Sequence, residues 1–597
     1  MWPEVIKRRR HQYTEAEYLS DWQVHSAHLT AGAIKFTHDG YEEGPYFVPM
    51  PTGSGKTTGA IWGIVELLEK APSARLCFLT PYIEAVEDIY QKVSKYLGPE
   101  IVGRWYSSSV EDRSVALQKQ VVILTHQFLS FHSSYLFADR DLFIVDEALY
   151  ATGEATLKLS DIAKAREWSE ANNVMAEEFI QLYDYANSLD HKLRKSGEKH
   201  VAGYKPESSD WVVNIATNLK LSDHSQTIAD HSVLSAMIRF CEALLAGMVF
   251  VSKTTTHDDT YNPTFSAAVF GIPNIEKTVV LSATGGLLYS IAGPFKQDSG
   301  SRDYWSPPKY TNLTLTQLIG PALPSTYSHW NNDTAKQKVV EYLDWLLQQI
   351  PETNLYLTFP KSVVDKALRT YFNQPERGDL DYPYVTTKHG KQINVSHHAV
   401  SIGTNKFKDC DAVLYLWDNH IPSSVAIQRF HILSDKPVTD ESLEDANKSR
   451  LLGNYERIRE AQYLDNMMQH IGRGNVRNID ADQNVGQMTA YVLARKPDLF
   501  TRLASQYRGS QLSELHYTDH DTHAGLSRLG QILDYLLKHR KGREVPTTEV
   551  ESALGFSLRR YADTLEENFE LMCLGYEYRR GGRGRGKSAA FVYKRQN

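Results

Sequence analysis

Phe47-Val48-Pro49-Met50-Pro51-Thr52-Gly53-Ser54-Gly55-Lys56-Thr57-Thr58-Gly59 joins a short apolar run to a segment of helical character through a loop that holds two glycines. A phosphate chain is bound best by backbone N–H groups aimed into one concavity, which side chains on Cβ would obstruct, so Gly53 and Gly55 suit a loop that wraps such a chain. The start of the following helix adds free N–H groups and the positive end of its dipole. Lys56 is then placed to meet the β- and γ-phosphates as a point charge, and Thr57 to offer a hydroxyl to Mg²⁺. Residues Pro51, Thr52, Gly53, Ser54, Gly55, Lys56, Thr57 and Thr58 are the expected nucleotide loop. The full G-x-x-x-x-G-K-[ST] pattern would begin with glycine where Met50 stands.

Outward from this loop, short apolar runs alternate with helical-period segments as far as residue 150, the pattern of βαβ units around a parallel sheet. One run, Leu142-Phe143-Ile144-Val145, ends in Asp146-Glu147. An acidic pair at the end of such a strand is the expected second half of a nucleotide site. Asp146 would hold Mg²⁺ through its water shell, and Glu147 would orient and deprotonate the attacking water. Residues 151–270 break the alternation and read mostly as amphipathic helix with polar loops, a helical insertion expected to clamp a strand or recruit a protein partner. Strand character returns at Thr278–Leu281, so residues 271–300 complete the first domain. A second α/β alternation over 301–525 predicts another sheet domain of the same kind. Residues 526–597 follow the order helix, helix, helix, hairpin, which is that of a winged helix. The fold class expected is α/β, with two RecA-like parallel-sheet domains, a helical insertion in the first and a C-terminal winged-helix domain.

Composition narrows the function classes. The chain has 597 residues, 42% hydrophobic and 23% charged, which excludes wholesale disorder and fibrous folds. Its 65 basic and 72 acidic residues give a net charge of −7, unlike a protein that coats nucleic acid along its whole surface. Positive charge gathers instead at one end, where residues 577–597 carry seven basic residues and one acidic one. The glycines among Arg579, Arg580, Arg583, Arg585 and Lys587 suggest a hairpin tip that follows a phosphate backbone, and Arg559 and Arg560 a basic start to a recognition helix. The four cysteines are scattered and are expected to be reduced core thiols. No apolar stretch reaches the 18 residues of a membrane span and no signal-peptide run follows the basic N-terminus, so a cytoplasmic location is expected.

In this order the motifs resemble those of the superfamily-2 helicases, ATP-driven motors on nucleic acid. Pro51–Thr58 is similar to motif I, Leu79-Thr80-Pro81 to motif Ia, Leu124-Thr125-His126 to the next strand-contacting motif, and Asp146-Glu147-Ala148-Leu149 to motif II. Leu281-Ser282-Ala283-Thr284 resembles motif III. In the second domain Leu357-Thr358-Phe359-Pro360 is similar to motif IV, Gly403-Thr404-Asn405 to motif V, and Gln469-His470-Ile471-Gly472-Arg473 to motif VI. Met50–Thr57 and the insertion lean toward the XPD/DinG branch, without that branch's cluster of four cysteines. Motif II ends in Ala148-Leu149 where that branch has Ala-His or Ala-Asp, and Arg477 lies one residue beyond the usual spacing. The resemblance implies ATP and Mg²⁺ as ligands, with Gln469 and Arg473 facing Lys56, Thr57, Asp146 and Glu147 across the cleft. Arg473 would be the arginine finger, and Arg477 a further nucleotide contact. It also implies that Thr80, Thr125, Thr358 and Thr404 meet the phosphates of a nucleic acid, DNA ahead of RNA. Two alternatives share the sequence: a remodeller of nucleoprotein complexes that does not unwind, and a nucleic-acid-binding regulator switched by ATP.

Overall fold

The computed structural model describes residues 2–40, 46–106, 112–126, 137–147, 152–219, 231–255, 261–270, 275–283, 307–320, 333–374, 383–398, 406–416, 421–448, 451–494, 497–517, 544–554, 576–579 and 589–593, with a few short pieces between. The first lobe opens with helices α1 (Trp2–Gln12) and α2 (Asp21–Asp39), then strand β1 (Tyr46–Val48), helix α3 (Lys56–Lys70), β2 (Leu76–Thr80), helix α4 (Ile83–Leu97), β3 (Val102–Trp105), β4 (Val121–Thr125) and β5 (Leu142–Asp146). An insertion contributes β6 (Thr152–Lys158), β7 (His200–Ala202), β8 (Val249–Thr255) and β9 (Tyr261–Phe270), after which β10 (Thr278–Leu281) and β11 (Lys296–Gln297) return to the lobe.

The first sheet has the order β11-β1-β10-β5-β2-β4-β3, and every pairing is parallel. Leu76, Cys77, Phe78 and Leu79 are all fully buried, as a strand covered by helices on both faces requires. Ligands bind at the carboxyl ends of such strands, where the order along the sheet departs from chain order. Here β1 leads into the nucleotide loop, and β10 separates it from β5.

Behind that loop α2 crosses α3 at close range. A Cβ on Gly59 would run into the carbonyl oxygen of Ala27 and come within 2.7 Å of the Thr30 side chain. Gly59→Ala should therefore cost about 1–3 kcal/mol through overpacking. The check is the urea midpoint of the first lobe, which falls; an unchanged midpoint would mean that the two helices are not held this tightly.

The second lobe holds β12 (Leu313–Ile319), β13 (Asn354–Phe359), β14 (Tyr384–Lys388), β15 (Lys391–His397), β16 (Ala412–Tyr415), β17 (Met488–Val492) and β18 (Gln511–His516). Its order is β14-β15-β13-β16-β17-β12-β18, parallel except for the β14–β15 hairpin. At the C-terminus β19 (Val545–Pro546), β20 (Tyr576–Arg579) and β21 (Ala590–Tyr593) form a three-stranded antiparallel sheet. They pack with the helix Thr547–Leu554, Ile532, Leu558 and Leu565 into a separate small core.

The insertion differs from the expected helical one. Beside helices such as Ala176–Ser196 and His231–Leu245 it contains an antiparallel sheet of order β6-β9-β8-β7. The helices cover one face of that sheet, and their apolar residues share one core with Val249, Val251, Phe265 and Ala267. The insertion also grips the second lobe. Asp440 accepts the Ala202 N–H at 2.8 Å and pairs with Lys192 at 2.7 Å, while Asn447 exchanges two hydrogen bonds with the His200 backbone. Gln428 Nε2 donates to the Ala267 carbonyl at 3.1 Å, and Ile432 enters the insertion's core. The lobes are thus bridged at a second place besides their main cleft.

Candidate functional site

The loop after β1 takes its shape from residues that tolerate unusual backbone. Gly53 has φ +84°, and a Cβ there would stand 2.6 Å from the Arg477 carbonyl of the second lobe. Gly55 has φ +89° and precedes α3, whose N-terminus points its free N–H groups into the loop. Lys56 Nζ spans the concavity and donates to the carbonyls of Met50 and Pro51 at 2.7 and 2.9 Å. Thr57 Oγ1 donates to Asp146 Oδ2 at 3.1 Å, which ties α3 to the end of β5.

At that strand end Glu147 adopts φ +67°, a left-handed turn rare for a side-chain-bearing residue, and its N–H donates to Leu281 of β10 at 2.8 Å. The turn carries the Glu147 carboxylate toward the second lobe. There the helix Gly453–Ile471 ends, and Arg473 follows it with 3% of its surface exposed. Arg473 forms an ion pair with Glu147 and lies 3.5 Å from Gln469 Oε1. Arg477 lines the same cleft, which has a volume of about 770 Å³ and also meets Lys406 and Asn478.

Electrostatics in the cleft follow from crowding. Enclosure by protein pushes the Lys56 ammonium below the usual lysine value, while Asp146 and Glu147 pull it back. Enclosure raises the Asp146 carboxyl, and Glu147 beside it raises it further, against Lys56. Arg477 is pushed down to about 9, first by burial and then by Arg473. The cleft is lined by four acids (Glu84, Asp88, Asp146, Glu147) and six bases (Lys56, Lys92, Lys406, Lys408, Arg473, Arg477), and the excess of positive charge suits a polyanion.

The structure brings Lys56, Thr57, Asp146, Glu147, Gln469, Arg473 and Arg477 to one cleft with the loop Pro51–Thr58. Of the four threonines expected to meet strand phosphates, Thr358 and Thr80 have buried side chains. Thr358 is fully buried, and its Oγ1 lies 3.0 Å from His398 Nδ1, because β13 is a central strand covered on both faces. The Thr80 hydroxyl is buried as well, although the residue borders the cleft. Thr125 is partly exposed at the end of β4. Arg579 is exposed and donates to Glu544 at 2.6 Å. Thr404, Arg559, Arg560, Arg580, Arg583, Arg585 and Lys587 lie outside the described residues.

Besides Lys406 and Asn478 of the cleft lining, a residue that holds the loop escaped the sequence reading. Gln23 on α2 donates from Nε2 to the Gly53 carbonyl at 2.8 Å and so buttresses the loop from behind. Its local signal was the Ser20-x-x-Gln23 capping box, which marks the start of α2. Among the described residues no cluster of three or more metal-ligating side chains occurs, and Cys77, Cys241 and Cys410 are free and buried. No described helix is long and apolar enough to cross a membrane.

Residues 32–165 match the DEAD/DEAH box helicase family. No curated relative matches the chain. Among solved structures it is similar to an XPD helicase at 14% identity, covering 83% of this chain and 100% of that one with a TM-score of 0.44. It is similar also to Xpd4 of S. tokodaii, at 13% identity, 83% and 99% coverage and a TM-score of 0.42. The DEAD-box helicase Mss116 bound to ssRNA and UDP-BeF matches at 12% identity, 91% and 87% coverage and a TM-score of 0.33. The family match thus covers β1 to β5 with the nucleotide loop and α3, the segment that carries Lys56, Thr57, Asp146 and Glu147.

Proposed function

We propose that this protein is a motor that couples Mg-ATP hydrolysis between its two sheet lobes to movement along a nucleic-acid strand, with DNA as the strand. The observation that carries the reading is the buried ion pair between Glu147 of one lobe and Arg473 of the other, inside the cleft that also holds Lys56 and the Thr57–Asp146 pair. The triphosphate lies along the loop Pro51–Thr58, where backbone N–H groups and the Lys56 ammonium meet its charge. Thr57 Oγ1 and Asp146 Oδ2 offer the oxygen ligands that suit Mg²⁺, and a Cβ on Gly53 would run into the Arg477 backbone that faces the loop from the second lobe. When bound, Mg²⁺ neutralises charge on the β- and γ-phosphate oxygens.

Glu147 accepts the proton of the attacking water, and Arg473 stabilises charge on the transferred phosphoryl group. Because Arg473 and Glu147 sit on different lobes, the two act together only while the cleft is closed. Opening and closing then shift the strand-contacting face of one lobe against the other. The C-terminal module, read as a winged helix with a basic tip, anchors the duplex; that reading favours DNA.

Gln23→Ala removes one hydrogen bond to the loop, a loss of about 1 kcal/mol. It should raise the KM for ATP by about threefold to tenfold and leave kcat nearly unchanged. A fall in kcat with constant KM would place Gln23 in a different role. The motor reading itself is tested by steady-state ATP turnover with single-stranded DNA, duplex DNA and RNA, followed by forked substrates carrying either tail. Stimulation by DNA with strand separation supports it; stimulation without separation favours a remodeller, and no stimulation by any strand removes the motor.

A further inference from the structure

The helix Gly453–Ile471, which leads into Arg473, is tied to the second sheet by a chain of buried side chains. His470 Nδ1 lies 2.8 Å from the Tyr356 hydroxyl, and His470 Nε2 lies 3.1 Å from His398 Nδ1, which in turn lies 3.0 Å from Thr358 Oγ1. Tyr356, Thr358 and His470 are fully buried, and His398 is 3% exposed. The four side chains come from strand β13, from the residue that follows β15, and from the last turn of the helix. Burying two imidazoles side by side costs desolvation that leucine or phenylalanine would not incur, so packing alone does not account for them.

A neutral imidazole has one N–H and one acceptor nitrogen. The chain therefore runs in one of two directions. Either the Tyr356 hydroxyl donates to His470 Nδ1 and His470 Nε2–H donates to His398, or His398 Nδ1–H donates to His470 Nε2 and His470 Nδ1–H donates to the Tyr356 oxygen. In both, the His470 ring is fixed at two points and cannot turn without leaving a buried nitrogen unpaired. Burial, followed by His398 and Arg473, holds the His470 pKa well below the usual histidine value, so the ring is neutral beside the guanidinium. The consequence falls on the end of the helix. Successive residues point about 100° apart around a helix, so His470 held against the sheet turns Gln469 toward the cleft. The Arg473 N–H donates to the His470 carbonyl at 3.1 Å. At Gly472 the chain passes so near the nucleotide loop that a Cβ would stand 2.8 Å from Thr52 Oγ1.

We propose that His470 and His398 are positioning residues for Arg473: the hydrogen bond between them ties the end of the helix to the second sheet and so sets where the guanidinium enters the cleft. Neither histidine touches the nucleotide, and both act through Arg473. The inference rests on the reading of Arg473 as the group that stabilises charge on the transferred phosphoryl group. A misplacement of about 1 Å costs on the order of 100-fold in rate, which sets the scale of the effect.

The test is single-turnover ATP hydrolysis by the full chain, with thermal unfolding recorded for every variant. His398→Leu removes the polar atom that His470 meets and should lower the rate by about 10- to 100-fold, with ATP affinity within about twofold of wild type. His398→Asn returns a polar group near the position of Nδ1 and should recover most of the loss. In an Arg473→Ala background His398→Leu should cause no further loss, since the residues act as one unit. Tyr356→Phe deletes only the hydroxyl bonded to His470 and keeps the ring stacked on Phe407 at 4.1 Å between centroids, so it should fold even where His398→Leu does not. It should slow hydrolysis by about threefold to tenfold. Wild-type rates in His398→Leu, or in Tyr356→Phe where His398→Leu unfolds, would overturn the proposal. So would equal impairment in His398→Leu and His398→Asn, or an added loss beside Arg473→Ala, since either would make the chain of side chains a support for the fold alone. A loss under about tenfold in Arg473→Ala itself would instead overturn the reading of Arg473, and the histidines' role with it.

Discussion

Arg473→Ala lowers the rate of ATP hydrolysis by about 10³- to 10⁵-fold, the range over which arginine fingers act, while ATP still binds. The argument is positional. Arg473 is almost wholly buried and reaches across the lobes to the carboxylate beside the nucleotide loop. A guanidinium there meets charge that grows on the phosphoryl group only as the bond breaks, so its removal costs kcat more than KM. Alanine also strands Glu147 without its cationic partner. Arg473→Lys separates the two effects, because it keeps the charge but loses the planar fork and should recover only a small part of the rate. Single-turnover hydrolysis with saturating ATP is the measurement. A loss under about tenfold in the alanine variant would mean that Arg473 is a structural tie between the lobes.

Lys56→Ala should abolish turnover to a comparable degree, about 10²- to 10³-fold or more, and weaken ATP binding as well. Lys56 spans the loop's concavity from α3, held by two backbone carbonyls, so it is presented where a phosphate chain would run. Its removal leaves the C-terminal sheet and its separate core untouched. Affinity for a DNA strand in the absence of nucleotide should therefore stay within about twofold. Separate titrations with ATP and with DNA distinguish the outcomes. Loss of both together would mean that the variant misfolds or that the strand occupies the nucleotide cleft.

Much of this site was legible because its chemistry is local. Two glycines before a lysine and a threonine, and an acidic pair closing an apolar run, report their structure within a few residues. Lys56, Thr57, Asp146 and Glu147 come from segments of that kind, whereas Gln469, Arg473 and Arg477 were expected only from the resemblance of their segment to a helicase motif. What was not legible depends on packing between distant segments. Gln23 reaches the loop only because α2 lies across α3, through a contact that Gly59 permits. The insertion's sheet was hidden because β9 carries Pro263 and polar residues among its apolar ones, and β7 is three residues long. Its grip on the second lobe joins residues such as His200 and Asn447, 247 positions apart. Thr358 shows the same limit on one strand. In a sheet covered on both faces, alternation does not tell whether a hydroxyl faces a ligand or a neighbour such as His398.

The central claim is that the lobes close on a triphosphate and that closure is felt by the strand. Its most direct test is the distance between fluorescent labels at Gln91 and Asp409, exposed positions on the first and second lobes. The account predicts a shorter distance with a non-hydrolysable ATP analogue, Mg²⁺ and single-stranded DNA together than with either ligand alone, and its loss in Arg473→Ala. One distance under every condition, with nucleotide and strand both shown to be bound, would contradict it.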